Sequence, residues 1–480
     1  METYILWGAL ALVLGFLAVL LIRTAAFRPK PSVKADDTEI RFDCDKAISN
    51  LQTLLRFKTI SYRDSSLEDA AAFEDLIAAL PSLYPHVFEV CTFERMPDRA
   101  LLFKWPGKQA GDPAVMMAHY DVVPVNEENW EKPPFAGVLE NGVLWGRGAL
   151  DTKVTFNGVL SAADHLIAEG FQPTQDVYFA FSGNEEINGA GAPNIVQYFQ
   201  EHNITPSIVV DEGGAVVENV FPGVSLPCAM IGIAEKGMMD VEYRCVSQGG
   251  HASAPKPHTP VGLLSQACCR IEAHPFRFHI TKPVAAMFDT LGRHSNLLYR
   301  LIFANLWCFK GVLDLLAKKS GGEMNALLRT TVAFTQMTGS SASNVIPPEA
   351  TMVSNIRLNP ADTLDDALAY LQKTVGDDRI EITRLHGINP SRISLSEGPA
   401  WDKIASAVAS TWRGCVVTPY LMVQCSDSRH YGAISDKVYR FSAMDLTSAE
   451  RASIHGNNES IRVDCIGRSV EFYIRLLLQC

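Results

Sequence analysis

Eleven cysteines are scattered through the 480 residues, yet no two form a CxxC pair. An odd, unpatterned set in which only Cys268 and Cys269 are adjacent offers neither a disulfide framework nor a structural cysteine–zinc site, so free, mostly buried thiols are expected. Positive charge is also short: 42 Lys and Arg face 53 Asp and Glu, a formal charge of −11. No lysine or arginine run and no aromatic-interleaved basic patch relieves this, and a chain without a positive face for phosphates is excluded from nucleic-acid binding. Long apolar runs are few, although 47% of residues are apolar and 20% charged, ordinary proportions for a globular protein. Length alone predicts two domains plus an N-terminal appendage.

One apolar run is long. Tyr4 to Ile22 carries no charge, which is about enough to cross a hydrocarbon core of ~30 Å at ~1.5 Å per residue. The alternative is a cleaved signal peptide. The segment before the run lacks Lys and Arg and no A-x-A site follows, so residues 1–24 are read as a single-pass membrane anchor and 25–40 as a linker. Arg23, Arg28 and Lys30 follow the span, and the positive-inside rule would then keep the body cytoplasmic, without fixing the membrane side. A second run, Asn296 to Lys319, contains Arg300, Lys310 and Asp314 and makes a poor span. It reads as a buried or interface helix, with a lipid-facing or acyl-chain-binding helix as the other reading.

What the chain does have is chemistry at the ends of short strands. Val115-Met116-Met117-Ala118 runs into His119-Tyr120-Asp121, Val177 to Phe181 runs into Glu185-Glu186, and Ile208-Val209-Val210 runs into Asp211-Glu212. Positions i and i+2 of an extended chain share a face, so His119 and Asp121 can serve one pocket. Helices at about 156–170 and 194–202 separate these strands, the βαβ signature of a parallel sheet, whose carboxyl edge binds ligands. Strands are also expected around Phe88-Glu89-Val90 and Leu101-Leu102-Phe103. The fold class is α/β: a mixed, largely parallel sheet flanked by helices, with a smaller inserted α+β (ferredoxin-like) lid or dimerisation domain. The expected divisions are a first catalytic part at 41–236, an inserted domain at 237–358 with an apolar helical insertion at 275–322, and a second catalytic part at 359–480. Carboxylates converging without basic partners repel one another, and one or two divalent metals would compensate, zinc first with cobalt or manganese possible.

These residues occur within longer motifs: His119-x-Asp121 with Val122-Val123-Pro124, Gly146-Arg147-Gly148-Ala149-Leu150-Asp151-Thr152-Lys153, Gly183-Asn184-Glu185-Glu186, Asp211-Glu212-Gly213-Gly214, Gly249-Gly250-His251-Ala252-Ser253 and His455-Gly456-x-Asn458-Glu459. Together, over about Phe42 to the C-terminus, they resemble the M20 di-zinc metallopeptidases. The match is best to the carboxypeptidase S (Gly-Xaa carboxypeptidase) branch, which also holds the N-fatty-acyl-amino-acid synthase/hydrolases. The resemblance implies that His119, Asp151 and Asp211 bind one zinc and Asp151, Glu186 and His455 the other. It implies Asp121 behind the His119 ring, Glu185 as general base, and a cis Asp151-Thr152 peptide. His251 would stabilise the oxyanion, often from the partner subunit of a homodimer. Asn344, Arg357 and Arg429 match substrate-side positions, an arginine fork suiting a substrate carboxylate. The expected activity is a zinc-dependent carboxypeptidase or dipeptidase acting next to a free C-terminal amino acid, with N-acyl-amino-acid hydrolysis or synthesis as the alternative.

Overall fold

The computed structural model describes residues 2–31, 33–219 and 221–480. Its centre is an eight-stranded sheet in the spatial order Thr92–Met96, Ala100–Trp105, Val177–Ser182, Ala114–His119, Ile208–Val217, Val438–Leu446, Cys228–Glu235, Val416–Met422. The strands that carry the predicted chemistry pair in parallel: Ala114–His119 lies between Val177–Ser182 and Ile208–Val217, and Val438–Leu446 extends the parallel run. Ala114–His119 and Val177–Ser182 are buried along their whole length, which is why they read as continuous apolar runs rather than alternating ones. Helices Lys153–Ala168 and Val463–Leu477 pack on the sheet, with Phe156, Val159 and Leu160 of the first and Val470, Phe472 and Tyr473 of the second in one core with Met116, Phe179 and Val210. A largely parallel α/β sheet with flanking helices is the expected fold class. All eleven thiols are free.

A second sheet is antiparallel, in the order Thr331–Thr338, Glu349–Leu358, Gly237–Val246, Ile380–Ile388. Burial alternates along Glu349–Leu358, and the inward set (Ala350, Met352, Ile356, Leu358) packs with Met239, Val241 and Tyr243 against helices Pro260–Ala273 and Leu364–Val375. Strand, helix, strand, strand, helix, strand is the split βαβ succession of ferredoxin-like modules. The expected boundary at 358 is corrected. Helix Leu364–Val375 and strand Ile380–Ile388 complete the second sheet rather than resuming the first, and the module runs from Gly237 to about Ile388. Periodicity identifies a strand but not the sheet it joins. The segment around Phe88 is also different: it is a helix, Pro85–Val90, opened by proline at its first position, and the strand begins at Thr92.

The apolar stretch 296–319 is two helices, Leu297–Ala304 and Leu306–Ser320, broken at Asn305. With helices Lys282–His294 and Gly322–Leu328 it packs on the open side of the large sheet, where Met287, Phe288 and Leu291 meet Tyr420, Leu421 and Met422. The N-terminal helix, Glu2–Ala26, is long and apolar enough over Thr3–Ala26 to cross a membrane, and only 6% of its most apolar window is buried in the protein.

Candidate functional site

Strand-end residues and two distant loops converge on one carboxylate. Asp151 lies on the turn just before helix Lys153–Ala168, and its peptide bond to Thr152 is cis. Its Oδ1 is 3.1 Å from His119 Nε2 and its Oδ2 is 2.9 Å from His455 Nε2, so one carboxylate sits between two imidazoles. Glu186 Oε2 is 3.2 Å from His455 Nε2, and Glu212 Oε1 is 3.4 Å from His119 Nε2. Ligand atoms of His119, Asp151 and Glu186, and likewise of His119, Glu185 and Glu212, lie within 4.8 Å of one another. His455 adopts φ 59°, and the Ser453 and Gly456 backbone turns around it.

Asp121 ties the group together. The His119 ring reaches the Asp121 carbonyl oxygen through Nδ1 at 3.0 Å, with the Asp121 carboxylate 3.3 Å away. That carboxylate accepts the Glu185 and Glu186 backbone N–H groups, both at 3.2 Å, and the Ser61 hydroxyl at 2.7 Å. A fully buried residue thereby fixes the imidazole and both glutamates at once.

Asp211 and Glu212 are placed differently. The Asp211 carboxylate accepts from the Ser428 N–H at 2.9 Å, and it is Glu212 that faces His119. The strand register is irregular between Asp211 and Gly214, and the two adjacent acids turn to different partners there. The sequence signal was ambiguous by one residue. Gly213 and Gly214 follow because nothing larger fits: a Cβ on Gly214 would lie 1.7 Å from the Met230 carbonyl oxygen.

The other predicted residues fall in two places. Arg429 and Arg357 meet at Cys425: Arg357 Nη1 lies 3.4 Å from the Cys425 sulfur, and Arg429 Nε donates to the Ser426 carbonyl at 2.7 Å. The Arg429 Nη1 is buried and, among the described residues, has no partner. Glu235, unpredicted, holds this loop: its carboxylate accepts from the Ser426 N–H, the Ser426 and Ser428 hydroxyls and Arg440 Nε at 2.5–3.1 Å. Nothing in its local sequence, Ala234-Glu235-Lys236, marks that role. His251 and Asn344 sit apart from the cluster, exposed on a two-stranded ribbon of the module where Gly250–His251 pairs with Val345–Ile346. His251 Nδ1 is 2.8 Å from the Ser253 hydroxyl, and the Asn344 carbonyl accepts the Ala252 N–H.

Electrostatically the cluster is short of positive charge. Burial pushes the Glu185 carboxyl well above its usual range, with Asp427, Glu212 and Glu186 adding to the shift. Burial, with Asp151 beside it, raises Glu212 to about 8, and burial with Asp211 beside it raises Asp427 to about 7. Burial opposes protonation of His119, but Glu212, Asp121 and Asp151 outweigh it and hold the ring well above the ordinary imidazole range. Hydrogen bonds to Asp151 and Glu186 lift His455 to about 10. The buried Glu186 Oε1 has no partner among the described residues. A compact set of imidazole and carboxylate donors, with an orphaned oxygen and a surplus of acids, fits divalent cations of the zinc type.

The sequence profile of peptidase family M20/M25/M40 matches residues 115–479. The probable carboxypeptidase S-like 2 of Dictyostelium discoideum is 31% identical over 97% of this chain and 92% of its own length. The N-fatty-acyl-amino acid synthase/hydrolase PM20D1 of Xenopus tropicalis is 33% identical over 96% of this chain and 92% of its own. Among solved structures, the M20 family metallo-carboxypeptidase Sso-CP2 of Sulfolobus solfataricus superposes with a TM-score of 0.66 over 90% of this chain and 98% of that one, at 18% identity. The profile begins on the His119 strand and ends just past the C-terminal helix, enclosing every acid and imidazole of the cluster, and the chain belongs to the M20 metallopeptidases.

Proposed function

We propose that this metal-dependent hydrolase cleaves the amide bond next to a free C-terminal amino acid, as a carboxypeptidase or dipeptidase. The observation that carries the reading is Asp151 held between two imidazoles with Glu185 alongside. In this reading His119, Asp151 and Glu212 would hold one zinc ion, and His455, Asp151 and Glu186 would hold the other. When bound, the metals supply Lewis acidity, polarising the scissile carbonyl and making water more acidic. Glu185 takes the proton of the attacking water and returns it to the leaving amine, a task suited to a carboxyl whose proton affinity burial has raised. Arg429 Nη1, without a partner among the described residues, receives the substrate carboxylate, and Arg357 reaches the same loop at Cys425. His251, exposed on the module, meets the oxyanion from the partner subunit of a homodimer.

A second reading, an N-acyl-amino-acid amidohydrolase or synthase, is favoured by one feature. A cavity of about 410 Å³ opens beside Gly213-Gly214 and Ile454, next to the metal-site residues Glu212 and His455. Met287, Leu291, Met324 and Leu327, apolar side chains from the helices around the insertion, line it together with the polar Glu323, Gln424 and Arg451. Its apolar side chains offer an acyl chain a surface to pack on.

Both readings are tested by metal analysis alongside hydrolysis of a panel of dipeptides and N-oleoyl amino acids, with and without chelator. Bound zinc with chelator-sensitive cleavage is expected, and the preferred substrate class decides between the readings. Absence of both metal and cleavage would overturn the assignment. The ligand set has its own check. Glu212→Ala is expected to lose one metal while Asp211→Asn keeps both, and the reverse pattern would return Asp211 to the site.

A further inference from the structure

The apolar hairpin formed by Leu297–Ala304 and Leu306–Ser320 presents an outer face that the protein does not cover. Leu297, Leu298, Trp307, Val312, Leu315 and Leu316 are 51–73% exposed. In the second helix Trp307, Gly311 and Leu315 recur at four-residue spacing, with Val312 and Leu316 beside them, so they form one stripe. The inner face is also apolar, with Leu306, Leu313 and Ala317 packed on the core. A helix apolar on both sides is either fully buried or faces lipid.

What covers the outer face is indicated by its neighbour. The N-terminal helix docks on the hairpin through its last turns. Arg23 Nε and Nη2 donate to the Ala304 carbonyl at 3.2 and 3.0 Å, and Asn305 Nδ2 donates to the Leu20 carbonyl and the Thr24 hydroxyl, both at 3.3 Å. Leu20 and Thr24 are buried there, whereas most other apolar side chains of that helix are exposed. The decisive contact is Phe16 against Trp307, edge to face with centroids 5.9 Å apart. Phe16 lies seven residues before Arg23, about 10 Å along the axis at ~1.5 Å per residue. Trp307 therefore touches the apolar body of the helix and not its charged end. Any bilayer that covers the N-terminal helix up to Arg23 also reaches Trp307. Lys310 and Lys319 are exposed on the same helix and form no ion pair among the described residues. Long lysine stems can lie on the apolar surface and place their ammonium groups among lipid phosphates.

We infer that the hairpin is a second membrane-contacting element, seated in the surface layer of a lipid bilayer beside the N-terminal helix. This holds independently of which amide the centre cleaves. It joins the insertion to the membrane on one face and to the wall of the cavity beside Gly213-Gly214 on the other, because the adjoining helices contribute Met287, Leu291 and Met324 to that cavity.

The test uses the full chain reconstituted into vesicles containing anionic lipid, with acyl chains brominated near the headgroup or left unbrominated. The difference between wild-type and Trp307→Phe emission isolates the Trp307 signal, since the other tryptophans, including Trp7, cancel. A blue-shifted Trp307 component that is lost in brominated vesicles is expected. In the Leu315→Glu, Leu316→Glu double variant, both positions being exposed and its melting temperature unchanged, the same component is expected to shift red and escape quenching. A Trp307 component that is blue-shifted but unquenched would mean that a second protein copy covers the stripe, and would overturn the inference. So would a red-shifted, unquenched component, quenching that survives the double variant, or a chain that does not float with the vesicles.

Discussion

Glu185→Gln is expected to lower kcat by about 10²–10⁴-fold while KM and metal content change little. The substitution preserves size and removes only the ability to accept a proton. The backbone there does not depend on the side chain, because the Glu185 and Glu186 N–H groups are held by the Asp121 carboxylate, itself anchored by Ser61. A fall in kcat at constant metal content therefore reports proton transfer, and a fall accompanied by metal loss would instead report damage to the cluster. Single-turnover hydrolysis with metal analysis on the same preparation separates the two. Undiminished turnover would remove Glu185 from the base role.

Glu459→Ala is expected to have the largest effect on stability, with a loss of about 3–5 kcal/mol, because it leaves the buried guanidinium of Arg147 without its counter-charge. Glu459 is fully buried, and both carboxylate oxygens are committed. Oε2 accepts from Arg147 Nη1 at 2.6 Å and the Gly148 N–H at 3.1 Å, and Oε1 accepts from the Leu150 and Asp151 N–H groups at 2.7 and 3.1 Å. Arg147 also donates to the Gly456 carbonyl at 2.8 Å. The same residues thus hold the Asp151 turn and the His455 loop in register. Denaturant unfolding of the alanine and glutamine variants checks this, since glutamine keeps an acceptor and should lose less. Equal stability of the alanine variant and wild type would show that the network contributes nothing net.

The strand-end chemistry was legible because the strands are buried on both faces: a continuous apolar run that stops at His119 or before Glu185 marks both the strand and its functional end. Two kinds of information were not local. The first is facing. Asp211 and Glu212 are adjacent acids, and which of them turns to His119 and which to the Ser428 N–H is set by an irregular stretch of strand that the sequence does not announce. The second is partnership across long separations. Strand Ile380–Ile388 has the same pattern whether it joins the first sheet or pairs with Gly237–Val246, and Glu459 occurs in a recognisable motif whose use, holding Arg147 and the Asp151 turn, appears only once the chain is folded. The break at Asn305 is of the same kind. That buried side chain donates to Leu20 and Thr24, residues some 280 positions away by the separations of 285 and 281.

The module enters and leaves the large sheet at neighbouring points: the Glu235 N–H donates to the Ser391 hydroxyl, and the Ser391 N–H to the Glu235 carbonyl. Two adjacent crossings alone would make a swivel. The segment between them removes that freedom, because Phe276 at its start belongs to the module's core and Met287, Phe288 and Leu291, a few turns later, belong to the core beneath the large sheet. Lys236, at the first crossing, is pinned to the Ala326 and Arg329 carbonyls at the far end of the same segment. The insertion thus acts as a gusset across the joint, and any swivel of one sheet against the other would have to break the Lys236 contacts and part this packing.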